Sequence, residues 1–297
     1  YSTMFNPPPQ LHARFDAALA DFRRDGMGRD HAQWIGGASV GGARHFEVRS
    51  PIDQDWLIGR FVEASAQDVD RAVQAAHAAY PAWAATPWRE RVALLRRAAR
   101  LIEERVYAIS AAVALEVGKN RMESIGEVQE TADLIDWYCD QMEAGEGFDR
   151  VLPDDPLPHF RSHNRTVLRP YGVWAVIAPF NFPFALAGGP LGPALIAGNT
   201  AVFKVSPETS LSGRLLLDVL HDAGLPAGVI NFVTGGDAVG RALVEHPGVA
   251  GITFTGSQAV GLQVLRQAVQ GRRPRPCIVE MGGKNATIVS RHADLER

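Results

Sequence analysis

The sequence predicts an α/β fold, a parallel sheet packed with helices behind a largely helical lead-in. From Gly172 onward, short apolar runs and longer segments of helical period alternate without a break. Residues 65–139 instead carry apolar positions at three- and four-residue spacing. The 297 residues exceed what one small core accommodates, so one large or two moderate domains are expected.

Residues 1–30 hold a polar, proline-rich entry and a helical pattern around Leu11–Arg24. Short apolar runs between Trp34 and Phe61, punctuated by Gly36-Gly37, Gly41-Gly42 and Pro51-Ile52-Asp53, predict hairpin strands. Ser65-Ala66-Gln67-Asp68 opens a helix through Ala79, with Val69, Val73, Ala76 and Tyr80 on one face. The longest helix is expected over Arg89–Val117, where Val92, Leu95, Ala99, Ile102, Val106 and Ile109 line one face. Gly118 ends it, and a further helix follows over Glu123–Cys139. Residues 145–169 lose this period, carry Pro153, Pro156 and Pro158, and read as an excursion in hairpin form.

The alternating part then predicts strands over Gly172–Ala178, Thr200–Lys204, Val229–Val233, Val249–Thr255, Cys277–Glu280 and Ala286–Val289. Its helices are expected over Phe184–Ala197, Ser206–Ala223, Ala238–Glu245 and Ala259–Gln270. Ser206 reads as an N-cap, Pro207 as N1 and Gly224 as the stop of the second of these helices. No solenoid repeat and no low-complexity tract are present.

Thirty basic residues against 33 acidic ones, a net charge of −3, give no electrostatic case for nucleic acid or an anionic membrane. The arginine patches Arg96-Arg97 and Arg272-Arg273-Pro274-Arg275 read as solvated surface. Two cysteines argue against a disulfide framework and fit a reducing cytoplasm. No apolar run approaches the ~18 residues of a membrane span, no charged-then-apolar leader opens the chain, and no metal-ligand set is expected. Because the first residue is Tyr1 and not Met, the chain is expected to be cropped at its beginning.

The strongest chemical signal is Ile278-Val279-Glu280-Met281-Gly282-Gly283-Lys284-Asn285, an apolar strand that delivers one carboxylate onto a glycine pair, as a catalytic base needs. Lys204 ends a strand just before a Ser-Pro helix start and suits a ribose or phosphate, although a surface lysine at a strand end reads equally well. Gly235-Gly236-Asp237-Ala238-Val239-Gly240 and Thr255-Gly256-Ser257 are strand-to-helix turns where backbone can approach a ligand. Neither matches GxGxxG. Asn181, in Pro179-Phe180-Asn181-Phe182-Pro183, could donate to a developing oxyanion; read alone, it caps the following helix.

Val176-Ile177-Ala178-Pro179-Phe180-Asn181-Phe182-Pro183, Gly198-Asn199-Thr200 through Lys204, Phe254-Thr255-Gly256-Ser257 and Glu280–Asn285, four blocks in order, together resemble the aldehyde dehydrogenase superfamily. Within it, Glu116-Val117-Gly118-Lys119-Asn120, Leu134–Tyr138 and Arg291–Asp294 resemble the L-glutamate γ-semialdehyde (1-pyrroline-5-carboxylate) dehydrogenases of proline degradation. The resemblance implies a Rossmann-like dinucleotide-binding domain and NAD(P)-dependent oxidation of a small aldehyde. A cysteine thiolate adds to the aldehyde, Asn181 stabilises the thiohemiacetal oxyanion, and Glu280 activates water to hydrolyse the thioester.

By the same resemblance, NAD, with NADP possible, is bound by Ile177, Pro179, Phe180, Lys204, Glu208, Gly236, Gly240, Phe254, Ser257 and Gly282. Glu127 faces the substrate's amino group, or is an exposed helix carboxylate. The family's ribose-binding glutamate falls at Pro207, one residue before Glu208, which leaves the preference between NAD and NADP open. The implied division is residues 1–150 as the N-terminal helical and strand part of the cofactor-binding domain and 151–169 as the arm of an oligomerisation hairpin. Residues 170–281 form the dinucleotide-binding core and 282–297 the start of a catalytic domain.

The nucleophilic cysteine has no counterpart, because the family places it beyond the seventeen residues that follow Glu280. Cys277 lies three residues before Glu280 on the same strand and so on its opposite face; Cys139 reads as a core thiol. The chain also stops within Ala293–Arg297, mid-way into an apparent helix. The expectation is therefore the leading portion of a larger homo-oligomeric enzyme, inactive by itself. The alternatives are a catalytically dead dinucleotide-binding fragment, the product of a broken gene, or another aldehyde dehydrogenase subfamily.

Overall fold

The computed structural model describes residues 6–159, 161–271 and 273–294. Helix α1 (Pro9–Asp21), extended by one π-turn over Phe22–Gly26, leads into five short strands. These are β1 (Arg29–His31), β2 (Gln33–Ile35), β3 (Ala38–Val40), β4 (His45–Arg49) and β5 (Leu57–Val62). As Gly36-Gly37 and Pro51-Ile52-Asp53 predict, β2–β3 and β4–β5 are antiparallel hairpins, whereas Gly41-Gly42 joins β3 and β4 across two sheets; β1 adds to β5 in parallel.

Helix α2 (Ala66–Ala85) starts at a capping box in which Ser65 accepts from Asp68 N–H and Asp68 accepts from Ser65 N–H. It runs past Ala79, and past Pro81, because its last turn carries Trp83, a buried residue whose indole donates to Leu195 O at 3.2 Å. The single helix expected over Arg89–Val117 is two, α3 (Trp88–Glu104) and α4 (Val106–Val117), broken at Arg105 (φ −101°, ψ 11°). The break reorients a segment whose character changes there: α3 buries one stripe, whereas Ile109 through Glu116 on α4 are buried without interruption. Gly118 in the left-handed region (φ 72°) ends α4.

Helix α5 (Arg121–Ala144) is longer than its period suggested at both ends, with Asn120 as N-cap. Arg96 is not simply solvated: it joins α3 to α5 through Asp136, Asp140 and Glu143. Strands β6 (Asp149–Val151) and β7 (Arg165–Val167) form the expected hairpin as a separate antiparallel pair. Phe160 in its tip, Arg272 of the basic cluster, residues 1–5 of the entry and residues 295–297 of the expected terminal helix lie outside the described residues.

The alternating part follows as β8 (Val173–Ile177), α6 (Ala185–Ile196), β9 (Thr200–Lys204), α7 (Ser210–Asp222) and β10 (Ile230–Phe232). It continues with α8 (Asp237–Glu245), β11 (Gly251–Gly256), α9 (Gln258–Val269) and β12 (Cys277–Met281). The main sheet has the order β12-β11-β8-β9-β10-β2-β3, parallel from β12 to β10 and antiparallel beyond. Strand order reverses beside β8, the position where open α/β sheets bind ligands past the carboxyl ends of their strands.

Side chains alternate across these strands into two cores. Val176, Ala201 and Phe203 face α3, α5, α6 and α7, while Val173, Ala175 and Val202 face α2, α8 and α9. The expected strand Ala286–Val289 is absent: residues 282–294 run as exposed coil, with Ile288 92% exposed. Its apolar pattern predicts burial, but no strand lies alongside to pair with it. Among the described residues no helix is long and apolar enough to cross a membrane.

Candidate active site

A cleft of about 1000 Å³ opens at the carboxyl ends of β8, β9, β11 and β12, walled by α8 and α9. Ile177, Pro179, Phe180 and Asn181 reach it from β8 and its loop, and Lys204 from β9. Gly240, Phe254 and Ser257 line its α8–α9 side; Glu280 and Gly282 line it from β12. These residues, far apart in sequence, are those that the resemblance gathers into one site.

Lys204 is 6% exposed, and its ammonium makes no hydrogen bond or ion pair with any described residue. Burial pushes its ammonium down to about 8, against the weaker pull of Asp237 and Glu208. The surface-lysine reading is thus excluded: this is a desolvated cation aimed into a cleft, a costly arrangement unless a ligand supplies oxygen acceptors. Gly240 leaves the approach to it clear, since a Cβ there would stand 3.9 Å from the lysine stem. Ser257 caps α9, accepting from Val260 N–H at 3.4 Å, and so brings a helix N-terminus to the cleft.

Three assigned residues lie outside the lining, Glu127, Glu208 and Gly236. Glu208 is taken up by the Ser206 hydroxyl, and Gly236 is the extended N-cap of α8, with open space where a Cβ would be. Sequence reasoning also missed Asp237, Arg241 and Glu245, which line the cleft along α8, and Gln263 and Gln267 on α9. Their signal was available as polar residues at four-residue spacing on helices whose other faces are apolar.

Both local cap expectations are corrected. Ser206 makes no cap bond; a one-turn 3₁₀ segment, Pro207–Thr209, precedes α7. The cap comes from Glu116 on α4, whose carboxylate accepts from Leu211 N–H (2.7 Å), Ser212 N–H (2.9 Å) and the Ser212 hydroxyl (2.5 Å). Burial pushes Glu116 up to about 7 despite these donors. Asn181 does not cap α6 either. Glu127 does so, accepting from Phe184 N–H (2.8 Å) and Ala185 N–H (3.3 Å). This leaves Asn181 exposed at the cleft, its amide bonded to no described residue.

Glu127 is therefore no exposed carboxylate but 1% exposed, paired with Lys119 Nζ at 2.5 Å, and its pKa is raised by burial against that pairing. Glu280 is exposed, and its carboxylate is equally without a hydrogen bond among the described residues. A Cβ on Gly282 would meet nothing within 4 Å, so its bareness answers to no neighbour within the described residues. Cys277 packs with Val279 against the α8–α9 core, the opposite face of β12 from Glu280, and burial raises its thiol. Cys139 is fully buried, its thiol pushed up to about 12. Among the described residues no group of three or more histidine, cysteine or acidic side chains could hold a metal.

The sequence matches the aldehyde dehydrogenase family over residues 37–297. It is 39% identical over 251 residues to alpha-ketoglutaric semialdehyde dehydrogenase of Bacillus subtilis (strain 168), covering 84% of this chain and 50% of the relative. It is 34% identical over 276 residues to 1-pyrroline-5-carboxylate dehydrogenase of Bacillus mycoides (strain KBAB4), covering 91% and 52%. The structure of 1-pyrroline-5-carboxylate dehydrogenase from Thermus with bound NAD superimposes with a TM-score of 0.87 at 30% identity, covering 94% of this chain and 54% of that one. The chain thus spans about half the length of the curated relatives it matches. With its sheet order, its cleft at the strand reversal and its four motif blocks, the chain belongs to the aldehyde dehydrogenase family.

Proposed function

We propose that this chain is the dinucleotide-binding part of an NAD(P)-dependent aldehyde dehydrogenase that oxidises an acid semialdehyde to the dicarboxylic acid. The observation that carries the reading is the unpartnered, buried Lys204 facing the same cleft as Asn181 and Glu280. A nicotinamide dinucleotide bound there supplies the hydride acceptor. Lys204 and the α9 N-terminus at Ser257 would hold its ribose and phosphate oxygens. Ile177 and Phe254 would furnish apolar walls for it, and Pro179, Phe180 and Gly282 would complete the lining around it.

With Glu208 drawn to Ser206 and Pro207 in the ribose-contacting position, this site takes NAD or NADP. Asn181 donates its amide to the oxyanion formed on the aldehyde, and Glu280 removes a proton from the water that releases the acid. Neither cysteine of residues 1–297 can be the nucleophile, since Cys139 is buried and Cys277 faces away. The thiol belongs to sequence beyond residue 297, where 282–297 opens the catalytic domain. The relatives' names point to L-glutamate 5-semialdehyde or alpha-ketoglutaric semialdehyde, which share the carboxylate end and differ in the group beside it. The β6–β7 hairpin, with Val151 and Leu168 exposed, serves homo-oligomer assembly, and the two unpaired thiols suit a reducing cytoplasm.

Glu280→Gln tests the assignment in an enzyme that carries the thiol. Mixing with semialdehyde and NAD is expected to give a burst of about one reduced nicotinamide per site, followed by a steady rate lower by about 10²–10⁴-fold. An unchanged steady rate removes Glu280 from the base role.

A further inference from the structure

The loop that carries Asn181 is held from below by two residues that do not line the cleft. Glu127 takes the Phe184 and Ala185 amides on one carboxylate oxygen and Lys119 on the other. Lys119 Nζ in turn stands 3.3 Å from the ring centroid of Phe182. The segment between Asn181 and α6 is therefore clamped at both its ring and its backbone.

The carboxylate has no face left for a ligand. Its partners are three protein donors, it is 1% exposed, and the side chain of Lys119 is only 11% exposed. A desolvated ion pair of this kind fixes geometry more than it adds stability. The cation over the Phe182 ring adds a directional attraction to the same purpose.

We propose that Glu127 and Lys119 are positioning residues that hold the 181–184 loop so that the Asn181 amide faces the cleft, and that Glu127 does not itself contact the substrate. This replaces the substrate role that family resemblance suggests for Glu127, and it rests on the reading of Asn181 as the oxyanion donor.

The test compares Lys119→Met, Glu127→Gln, the double variant and Asn181→Ala in the active enzyme, by steady-state kinetics and hydrogen exchange. Displacing a positioned group by a fraction of an ångström costs up to about 10²-fold. Lys119→Met and Glu127→Gln are expected to lower kcat by about 10- to 100-fold with KM held within about twofold. Exchange should quicken in residues 179–186 and not in α2 or α7. The double variant, with no unpaired buried charge, should regain thermal stability without regaining kcat.

A Glu127→Gln enzyme whose KM rises tenfold at unchanged kcat overturns the proposal in favour of direct substrate contact. Unchanged exchange at 179–186 overturns it also. If Glu127→Gln does not fold, Lys119→Met carries the same readouts. An Asn181→Ala enzyme of full activity refutes the oxyanion reading separately, while exchange still reports whether the clamp holds the loop.

Discussion

Glu127 and Arg91 close the two ends of one buried helix. The Glu127 carboxylate accepts from the first amides of α6, and Arg91 Nε donates to Ile196 O at its last turn at 2.8 Å. Each charge opposes the end of the macrodipole it meets. Helix α6 needs such help, because Gly188, Gly189, Pro190, Gly192 and Pro193 make it a poor helix former.

Arg91 also donates to Thr86 O and has its pKa lowered by burial. Arg91→Leu is expected to lower the urea unfolding free energy by roughly 2–3 kcal/mol, because it leaves buried carbonyls unpaired. Arg91→Lys, with a single donor head, should recover about half of that loss. Equal stability of all three proteins would show that the helix end needs no partner.

The glycines of α6 have a packing reason. A Cβ on Gly188 would stand 2.3 Å from Thr131 Cγ2 on α5. Gly188→Ala should therefore destabilise by about 1–3 kcal/mol despite alanine's better helix propensity. Thr131→Ser removes that methyl and keeps the hydroxyl that bonds to Glu127 O, so the double variant should recover most of the loss. Additive losses in the cycle would contradict the clash.

Lys204 predicts an unusual pH dependence. Its folded pKa of about 8 lies below the unfolded 10.5, so below pH 8 both states carry the proton and the cost of burying it is fully present. Between pH 8 and 10.5 the unfolded state binds more protons, and stability rises with pH. Lys204→Met should be more stable at pH 7, by on the order of 2–3 kcal/mol, and should lose that rise. Identical pH profiles by chemical denaturation would refute the buried, unpaired state of this lysine.

A polypeptide limited to residues 1–297 should reduce no NAD with either semialdehyde, since Cys139 is buried and Cys277 lies on the wrong face of β12. Sustained production of reduced nicotinamide by that polypeptide would place the nucleophile within it.

Much of the fold was legible because α/β alternation is written in local pattern. Strands β8 to β11 fall where short apolar runs predict them, and the Ser65 capping box appears as a four-residue motif. The break at Arg105 was not legible, because Ile102, Val106 and Ile109 keep the apolar spacing across it. Ala286–Val289 failed for the opposite reason: its pattern predicts burial but names no partner.

The caps of α6 and α7 show the deeper limit. Asn181 and Ser206 have the right chemistry at the right place, yet Glu127 and Glu116 arrive from the lead-in helices to do the work. The site residues were found by resemblance. The physics of Lys204, a cation desolvated without a partner, needed the fold.

Calorimetric titration of NAD into the cooperatively melting protein, beside Lys204→Met, bears most directly on the cleft as a dinucleotide site. One site per chain is expected, weakened by about tenfold or more in the variant, as loss of a charged hydrogen-bond donor implies. A flat wild-type titration, or equal affinity in a folded Lys204→Met protein, would contradict it.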